Sequence, residues 1–130
     1  MIIVVNPAAG GGRAGREWPR LASLLRAGGL QFEERITSRP GDATKIAREA
    51  AATGCSLVVA AGGDGTVNEV VNGILTAQAR ELPCLGTLPM GTGVDLCRTV
   101  GIPSDPLEAA AILGNGTRRR MDVGRITCAG

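Results

Sequence analysis

The sequence predicts an α/β domain of three layers (α/β/α), in which helices cover both faces of a mostly parallel β-sheet. Short apolar segments typical of buried strands alternate with segments of helical periodicity. Glycine clusters lie where an apolar segment ends and a helical pattern begins, which is typical of the strand–loop–helix units of parallel sheets. The chain has 130 residues, 44% of them apolar, and is therefore large enough to form one well-packed core.

Four segments are predicted as strands. Residues 2–5, 57–61 and 85–88 are apolar enough to be buried on both faces of a sheet. Residues 31–37 are more polar, so we expect this strand to lie nearer an edge.

Apolar residues spaced three and four apart predict three helices between these strands, and stops at Gly101 and Gly114 end two further predicted helices after them. Their approximate extents are residues 18–25, 43–52, 67–75, 94–100 and 106–113. Asp42 is the predicted N-cap of the second helix, because a carboxylate can accept hydrogen bonds from the free N–H groups of a first turn. This order of elements builds repeated βαβ units.

The composition excludes several classes of function. The formal net charge of +2 is too small to indicate nucleic acid or a membrane as the main partner, and two aromatic residues cannot form a base-stacking platform. The sequence contains no histidine, which excludes Ser-His-Asp triads and histidine zinc sites from this segment. Its four cysteines are far apart and include no C-x-x-C pair, which favours buried thiols in a reducing compartment over disulfides.

The N-terminal apolar segment is too short for a signal peptide, and no apolar run approaches the length of a membrane span. We therefore expect a cytoplasmic protein that touches a membrane only peripherally, through its substrate.

Three glycine clusters follow predicted strands, at residues 10–15, 62–65 and 91–93. In parallel sheets, ligands bind beyond the carboxyl ends of the strands. Glycine lets the backbone approach a phosphate closely, and the helix that follows presents unpaired N–H groups. Three such loops on one edge therefore predict a phosphate-binding crevice.

The first cluster contains a G-x-G-x-x-G pattern at Gly10, Gly12 and Gly15, which is also the fingerprint of dinucleotide-binding domains. Four residues separate it from the preceding strand, and no acid ends the second strand, so an NAD(P) dehydrogenase is disfavoured. A Walker A loop is excluded because the sequence contains no G-K-S or G-K-T.

The second cluster surrounds an acid, Asp64. An aspartate in such a place can be an ordinary turn or N-cap residue, but the flanking glycines predict that it is exposed at the centre of the phosphate site. A carboxylate there can hold Mg²⁺, directly or through water, or accept a proton from an attacking hydroxyl. Asn68 and Glu69 follow within reach of a ligand, whereas Asn72 is expected on a solvated face.

Three segments in order along the chain then carry a family resemblance. They are N-P-A-A-G-G from Asn6, G-G-D-G-T-V-N-E-V-V-N-G from Gly62, and L-P-M-G-T-G from Leu88 with Asp95 after it. Together they resemble the diacylglycerol kinase catalytic domain family, which includes lipid and sphingosine kinases and is distantly similar to NAD kinases. The resemblance covers nearly the whole chain, and Asn-Glu after G-G-D-G-T favours the lipid-kinase branch.

The resemblance implies a kinase that uses ATP and Mg²⁺ and transfers the γ-phosphoryl group to a lipid hydroxyl, such as that of diacylglycerol. Asp64 is the implied catalytic residue, linked to Mg²⁺ directly or through water. The implied nucleotide-binding residues are Asn6, Pro7, Ala8, Ala9, Gly10, Thr37, Gly62, Gly63, Asp64, Gly65, Thr66, Val67, Asn68 and Thr92. Val94 stands where the family usually has Asn, so a polar contact from that side chain is lost.

Members of the family have a second, β-rich domain with a catalytic carboxylate and metal-binding positions. Residues 118–130 resemble its start, so we expect a nucleotide-binding domain over residues 1–117 followed by the beginning of a truncated C-terminal domain. The strand-like residues 121–128 would then be available to pair with another copy of the chain. Two other functions stay open, an NAD kinase-like enzyme and a nucleotide-binding module without catalysis.

Overall fold

A computed structural model describes residues 1–91 and 101–115 of the chain. The elements in order are β1 (Ile2–Val5), α1 (Arg13–Ala27), β2 (Glu33–Ile36), α2 (Asp42–Ala52), β3 (Leu57–Gly62), α3 (Asp64–Thr76), β4 (Cys84–Pro89) and α4 (Pro106–Asn115). Within these two described ranges, every helix is too short or too polar to span a membrane. The helix predicted over 94–100, Thr92, Val94 and the segment 118–130 lie outside the described residues.

The four strands form one sheet in the order β2-β1-β3-β4, and all of its neighbouring strands are parallel. The register pairs Val5 with Ala61 and Gly62 with Pro89, so β1, β3 and β4 end nearly level with one another. The loops that follow these strands therefore leave the sheet at the same edge. The predicted parallel α/β architecture is confirmed.

Successive residues of a strand face opposite sides of the sheet, and this alternation produces two cores. On one side, Ile3 and Val5 pack with α1 and α4 through a cluster that includes Trp18 and Leu25. On the other side, Val4 packs with α2 and α3 through a cluster of smaller residues, among them many alanines. Helices thus cover both faces, as the three-layer prediction requires.

The polar strand lies at an edge, as predicted. All four residues of β2 are exposed, and this strand pairs only with β1 among the described strands. Three of the four are charged, which protects an exposed edge from pairing with other chains. Trp18 of α1 ties the edge to the body of the domain, because its Nε1 donates a hydrogen bond to Glu34 Oε2 at 2.6 Å.

The helices α2 and α3 pack unusually closely. A Cβ on Gly73 would collide with the carbonyl oxygen of Thr44 and lie 2.7 Å from the Cβ of Ala47. Arg48 of α2 also donates from Nε to Thr76 Oγ1 of α3 at 3.1 Å. Small residues at this contact let the two backbones approach.

The predicted N-cap of α2 was wrong by one residue. Asp42 is the first residue of the helix, and Gly41, with φ of 91°, occupies the N-cap position. A positive φ suits glycine, so the turn into α2 needs no side chain there. The Asp42 carboxylate instead accepts hydrogen bonds from the loop that precedes the helix.

Candidate functional site

The glycine loops that follow β1, β3 and β4 meet at the carboxyl edge of the sheet. A Cβ on Gly91, after β4, would lie 2.5 Å from the Cα of Gly63, after β3. A Cβ on Gly10, after β1, would lie 2.9 Å from the carbonyl oxygen of Met90. Only glycine permits these backbone approaches, so the predicted convergence of the three loops on one edge is confirmed.

The first loop, residues 6–12, is shaped almost entirely by its own backbone. Gly10, Gly11 and Gly12 have successive φ values of 64°, 68° and 93°, a left-handed path that glycine adopts without strain. Asn6 Oδ1 accepts a hydrogen bond from the N–H of Ala8 at 3.1 Å, and the carbonyl of Ala8 accepts one from Gly12 N–H at 3.1 Å. The Asn6 side chain therefore stabilises the turn that carries the other predicted contacts.

The N-terminus of α3 lies at the centre of the convergence. Gly63 is its N-cap in an extended conformation and, as a glycine, has no side chain that could cap the helix. The first N–H groups of a helix lack partners within the helix, and the helix dipole favours negative charge at this end. This end of α3 therefore has the properties of an anion-binding site.

The position of Asp64 differs from the prediction. The sequence predicted an exposed residue in a loop, whereas the structure places Asp64 as the half-buried first residue of α3. An acid in the first turn interacts favourably with the helix dipole, so Asp64 also has a structural role. Its carboxylate still lies in the first turn of α3, where the glycine loops converge.

Thr66 provides a second, independent sign of a ligand. Its side chain is 2% exposed, and its Oγ1 finds no hydrogen-bond partner among the described residues. A Cβ on Gly62 would collide with this same oxygen, so the hydroxyl lies directly against the end of β3. A buried hydroxyl without a partner costs about 1–3 kcal/mol, which a polar ligand atom would offset.

The second loop, residues 37–41, follows the edge strand and is shaped by carboxylates. Asp42 Oδ2 accepts hydrogen bonds from the N–H and the hydroxyl of Ser38, both at 2.8 Å, and from Arg39 N–H at 3.1 Å. The backbone N–H of Ser38, followed by its hydroxyl, holds the pKa of the Asp42 carboxyl below its ordinary value of 3.8. Thr37, the predicted nucleotide contact, is buried and donates its N–H to Val5 O at 2.9 Å.

Glu69 has a role that the sequence analysis missed. It was predicted to lie within reach of a ligand, and the structure adds that its Oε1 accepts a hydrogen bond from the N–H of Gly41. The two residues are 28 positions apart, and their contact depends on how α2 packs against α3. No local sequence signal indicates such a bond.

The predicted site residues fall into three groups. Those brought together by the converging loops are Asn6, Pro7, Ala8, Ala9, Gly10, Gly62, Gly63, Asp64, Gly65 and Thr66. Val67 is different because its side chain belongs to the core between α3 and the sheet, which leaves only its backbone for a ligand. Asn68 is exposed in the first turns of α3, and Thr37 lies in the second loop, two strands away from β3.

A complete protein metal site is not found in the described part of the chain, where no three His, Cys, Asp or Glu residues are grouped to hold an ion. Mg²⁺ in phosphoryl-transfer sites is typically bound by one or two carboxylates together with substrate phosphates. Asp64, in the first turn of α3, suits that manner of binding. The residues present therefore fit a magnesium ion that arrives with a phosphate ligand.

Comparison with known proteins agrees with this geometry. The sequence model of the diacylglycerol kinase catalytic domain family matches residues 1–126. The chain is 39% identical over 125 residues to a diacylglycerol kinase of Bacillus subtilis, a match that covers 95% of the chain and 41% of that relative. It is 38% identical over 124 residues to a diacylglycerol kinase of Staphylococcus aureus, covering 95% of the chain and 39% of that relative.

A solved structure is similar as well. The crystal structure of a diacylglycerol kinase from Bacillus anthracis aligns with a TM-score of 0.73 and 35% identity, over 86% of this chain and 38% of that one. The chain therefore spans about two fifths of the length of these relatives. Since the family's sequence model covers almost the whole chain, the chain belongs to the diacylglycerol kinase catalytic domain family.

Proposed function

We propose that the chain is the ATP-binding part of a lipid kinase, which transfers the γ-phosphoryl group of ATP to the hydroxyl of a lipid such as diacylglycerol. The observation that carries this proposal is the convergence of three glycine loops on the N-terminus of α3, beside the unpartnered buried hydroxyl of Thr66. Backbone N–H groups and a hydroxyl are the donors that phosphate oxygens accept from.

The shape of the site supports phosphate binding. Gly65 is exposed in the first turn of α3, and nothing lies within 4 Å of the position that its Cβ would occupy. The backbone here is open to a ligand, in contrast to Gly10 and Gly91, which are closed against neighbouring loops. We assign the phosphates of ATP to this open end of α3, and the nucleoside side to the first loop and Thr37.

In the proposed reaction the lipid hydroxyl attacks the γ-phosphorus, its proton passes to a carboxylate, and ADP leaves. Catalysis of such transfer consists mainly of positioning and charge neutralisation. The α3 N–H groups and the Thr66 hydroxyl would hold the phosphates in place, and Asp64 would hold Mg²⁺, directly or through water. When bound, Mg²⁺ supplies positive charge to the phosphate oxygens.

The acceptor is assigned to the lipid class because the B. subtilis and S. aureus relatives carry the name diacylglycerol kinase. An NAD kinase-like activity is the alternative within the enzymes. Thermal melts with ATP, NAD and diacylglycerol distinguish them in part, since ATP but not NAD is expected to raise the Tm. Because an NAD kinase binds both ATP and NAD, a rise of the Tm with both ligands would favour the alternative, and a rise with NAD alone would overturn the proposal.

The role of Asp64 is tested by Asp64→Asn, which keeps the size of the side chain and removes its charge. With Mg²⁺ present, we expect ATP binding to weaken by about tenfold or more, because the metal-binding carboxylate is lost. With EDTA present, the same variant is expected to bind ATP as well as the wild type or better, because a negative charge beside the phosphates is gone. Glu81→Gln, which neutralises an exposed acid, is the matched control.

Isothermal calorimetry measures both conditions. Equal ATP affinities of Asp64→Asn and the wild type with Mg²⁺ would show that Asp64 serves the helix alone. We also expect the 130 residues by themselves to bind ATP weakly, with a Kd of about 0.1–1 mM, and to phosphorylate no lipid. One sheet edge provides one wall of a cleft, whereas ligand sites bury most of a small molecule and transfer requires that water be excluded.

A further inference from the structure

Glu69 joins three parts of the molecule. It is half-buried in the second turn of α3, one turn after the end that is proposed to bind phosphate. Its side-chain Oε1 accepts from the N–H of Gly41 in the second loop, and its backbone oxygen accepts from Thr44 Oγ1 of α2 at 2.9 Å. One residue therefore connects the second loop, α2 and α3.

The second loop depends on this connection. Its first residue is fixed to β1 by the hydrogen bond from Thr37 N–H to Val5 O, and its middle is held by the Asp42 carboxylate. Its last residue, Gly41, has a φ of 91° and no side chain that restricts it. The carbonyl of Gly41 accepts a hydrogen bond from Lys45 N–H of α2, and its N–H donates to Glu69, which ties this end of the loop to α3.

We infer that Glu69 is a positioning residue for the nucleotide, and this inference rests on the proposed function. By holding Gly41, it fixes the far end of the second loop against α3, while β1 holds the first residue of that loop, Thr37. A ligand that contacts both places then binds without having to order the loop first, which improves affinity. Glu69 acts as a hydrogen-bond acceptor, so a glutamine at this position suffices.

A positioning residue can be distinguished by experiment from a residue that contacts the ligand and from an acid that only stabilises the fold. ATP reaches from α3 to the second loop, whereas inorganic triphosphate occupies the phosphate end alone. Loss of the Glu69 acceptor should therefore weaken ATP binding and leave triphosphate binding unchanged. A general loss of stability would affect both ligands alike.

The test compares Glu69→Ala, Glu69→Gln and the control Glu81→Ala in the complete 130-residue chain. By NMR hydrogen exchange without ligand, we expect Glu69→Ala to speed exchange of the Gly41 amide about tenfold or more, with β3 unchanged. By calorimetry, we expect Glu69→Ala to weaken ATP binding about three- to tenfold and triphosphate binding by less than about twofold. Glu69→Gln and Glu81→Ala should behave as the wild type in both measurements.

Three results would overturn the inference while leaving the proposed function intact. They are an unchanged ATP affinity in Glu69→Ala, an equal loss for ATP and triphosphate, and a Glu69→Gln variant that behaves like Glu69→Ala. A wild-type chain that binds no ATP would overturn the proposed function, and the inference with it.

Discussion

The first and second loops leave neighbouring strands at the same edge of the sheet, but they are built by different means. The first loop is a backbone structure, turned by Gly10, Gly11 and Gly12 in left-handed conformations and closed by its own hydrogen bonds. The second loop is held by the carboxylates of two helices, from Asp42 and Glu69. The shape of the first loop therefore depends on three glycines without Cβ atoms and on the neutral amide of Asn6, and that of the second on two acids.

The largest effect is expected where the first loop touches the third. In Gly10→Ala, an L residue in a left-handed conformation costs about 1–2 kcal/mol. Its Cβ would also lie 2.9 Å from the Met90 carbonyl oxygen, and such overpacking adds about 1–3 kcal/mol. We expect the free energy of unfolding, measured in urea, to fall by about 2–5 kcal/mol.

Gly11→Ala is the matched control for this prediction. Gly11 has a similar φ of 68°, but nothing lies within 4 Å of its Cβ position. The free energy of unfolding of Gly11→Ala should therefore fall only by the cost of the left-handed conformation, about 1–2 kcal/mol. Equal losses in the two variants would mean that the first loop does not press against Met90, and that its glycines serve the turn alone.

This difference between the loops also explains what the sequence could predict. Glycine clusters and apolar strands are local patterns, and parallel strands place their carboxyl ends on one edge, so the fold and the convergence at Gly10, Gly63 and Gly91 followed from the residues. The polarity of residues 31–37 likewise located β2 at the edge. These features depend on neighbours in sequence and on the general geometry of parallel sheets.

The features that the sequence missed depend on tertiary contacts. Asp42 was predicted to be the N-cap of α2, but Gly41, with its positive φ, occupies that position. The Asp42 carboxylate instead accepts hydrogen bonds from Ser38. Glu69 lies three residues after the end of the G-G-D-G-T motif, which suggested contact with a ligand. Its bond to Gly41 arises because Gly73 lets α3 approach α2, and one sequence alone does not reveal which helices pack so closely.

A smaller effect on stability, with the opposite sign, is expected at Gly65. This residue lies in α3 with open space at its Cβ position, so alanine should stabilise the helix by about 0.5–1 kcal/mol. If the backbone here lies against phosphate, Gly65→Ala should raise the Tm and at the same time weaken ATP binding several-fold. This outcome would distinguish a glycine kept for binding from one kept for folding, such as Gly10.

Thermal melts and calorimetry on the same samples measure the two quantities. Gly28→Ala serves as a control, because Gly28 has a φ of −79° and its nearest neighbours would lie 3.5 Å from the new Cβ, at the far end of α1. It should leave ATP affinity unchanged. A Gly65→Ala variant that gains stability and binds ATP normally would remove this backbone from the proposed phosphate site.

The smallest effect is a difference in how the two loops respond to acid. Because Ser38 donates hydrogen bonds to the charged Asp42 carboxylate, the pKa of this group is below 3.8 in the folded chain. The bonds therefore stabilise the second loop at pH values above 3.8, and this contribution is lost as the pH falls through the lower, folded pKa. In the first loop, Ala8 N–H donates to the amide oxygen of Asn6, which does not titrate in this range.

NMR titration between neutral pH and pH 2 should show a midpoint below 3.8 for the Asp42 carboxyl and the Ser38 amide together, while the Ala8 amide stays constant. Ser38→Ala removes the hydroxyl but keeps the backbone N–H, so it should raise the Asp42 pKa only part of the way toward 3.8. An Ala8 amide that titrates with the Asp42 midpoint would show that the two loops are coupled, and the contrast between a backbone loop and a carboxylate loop would not hold.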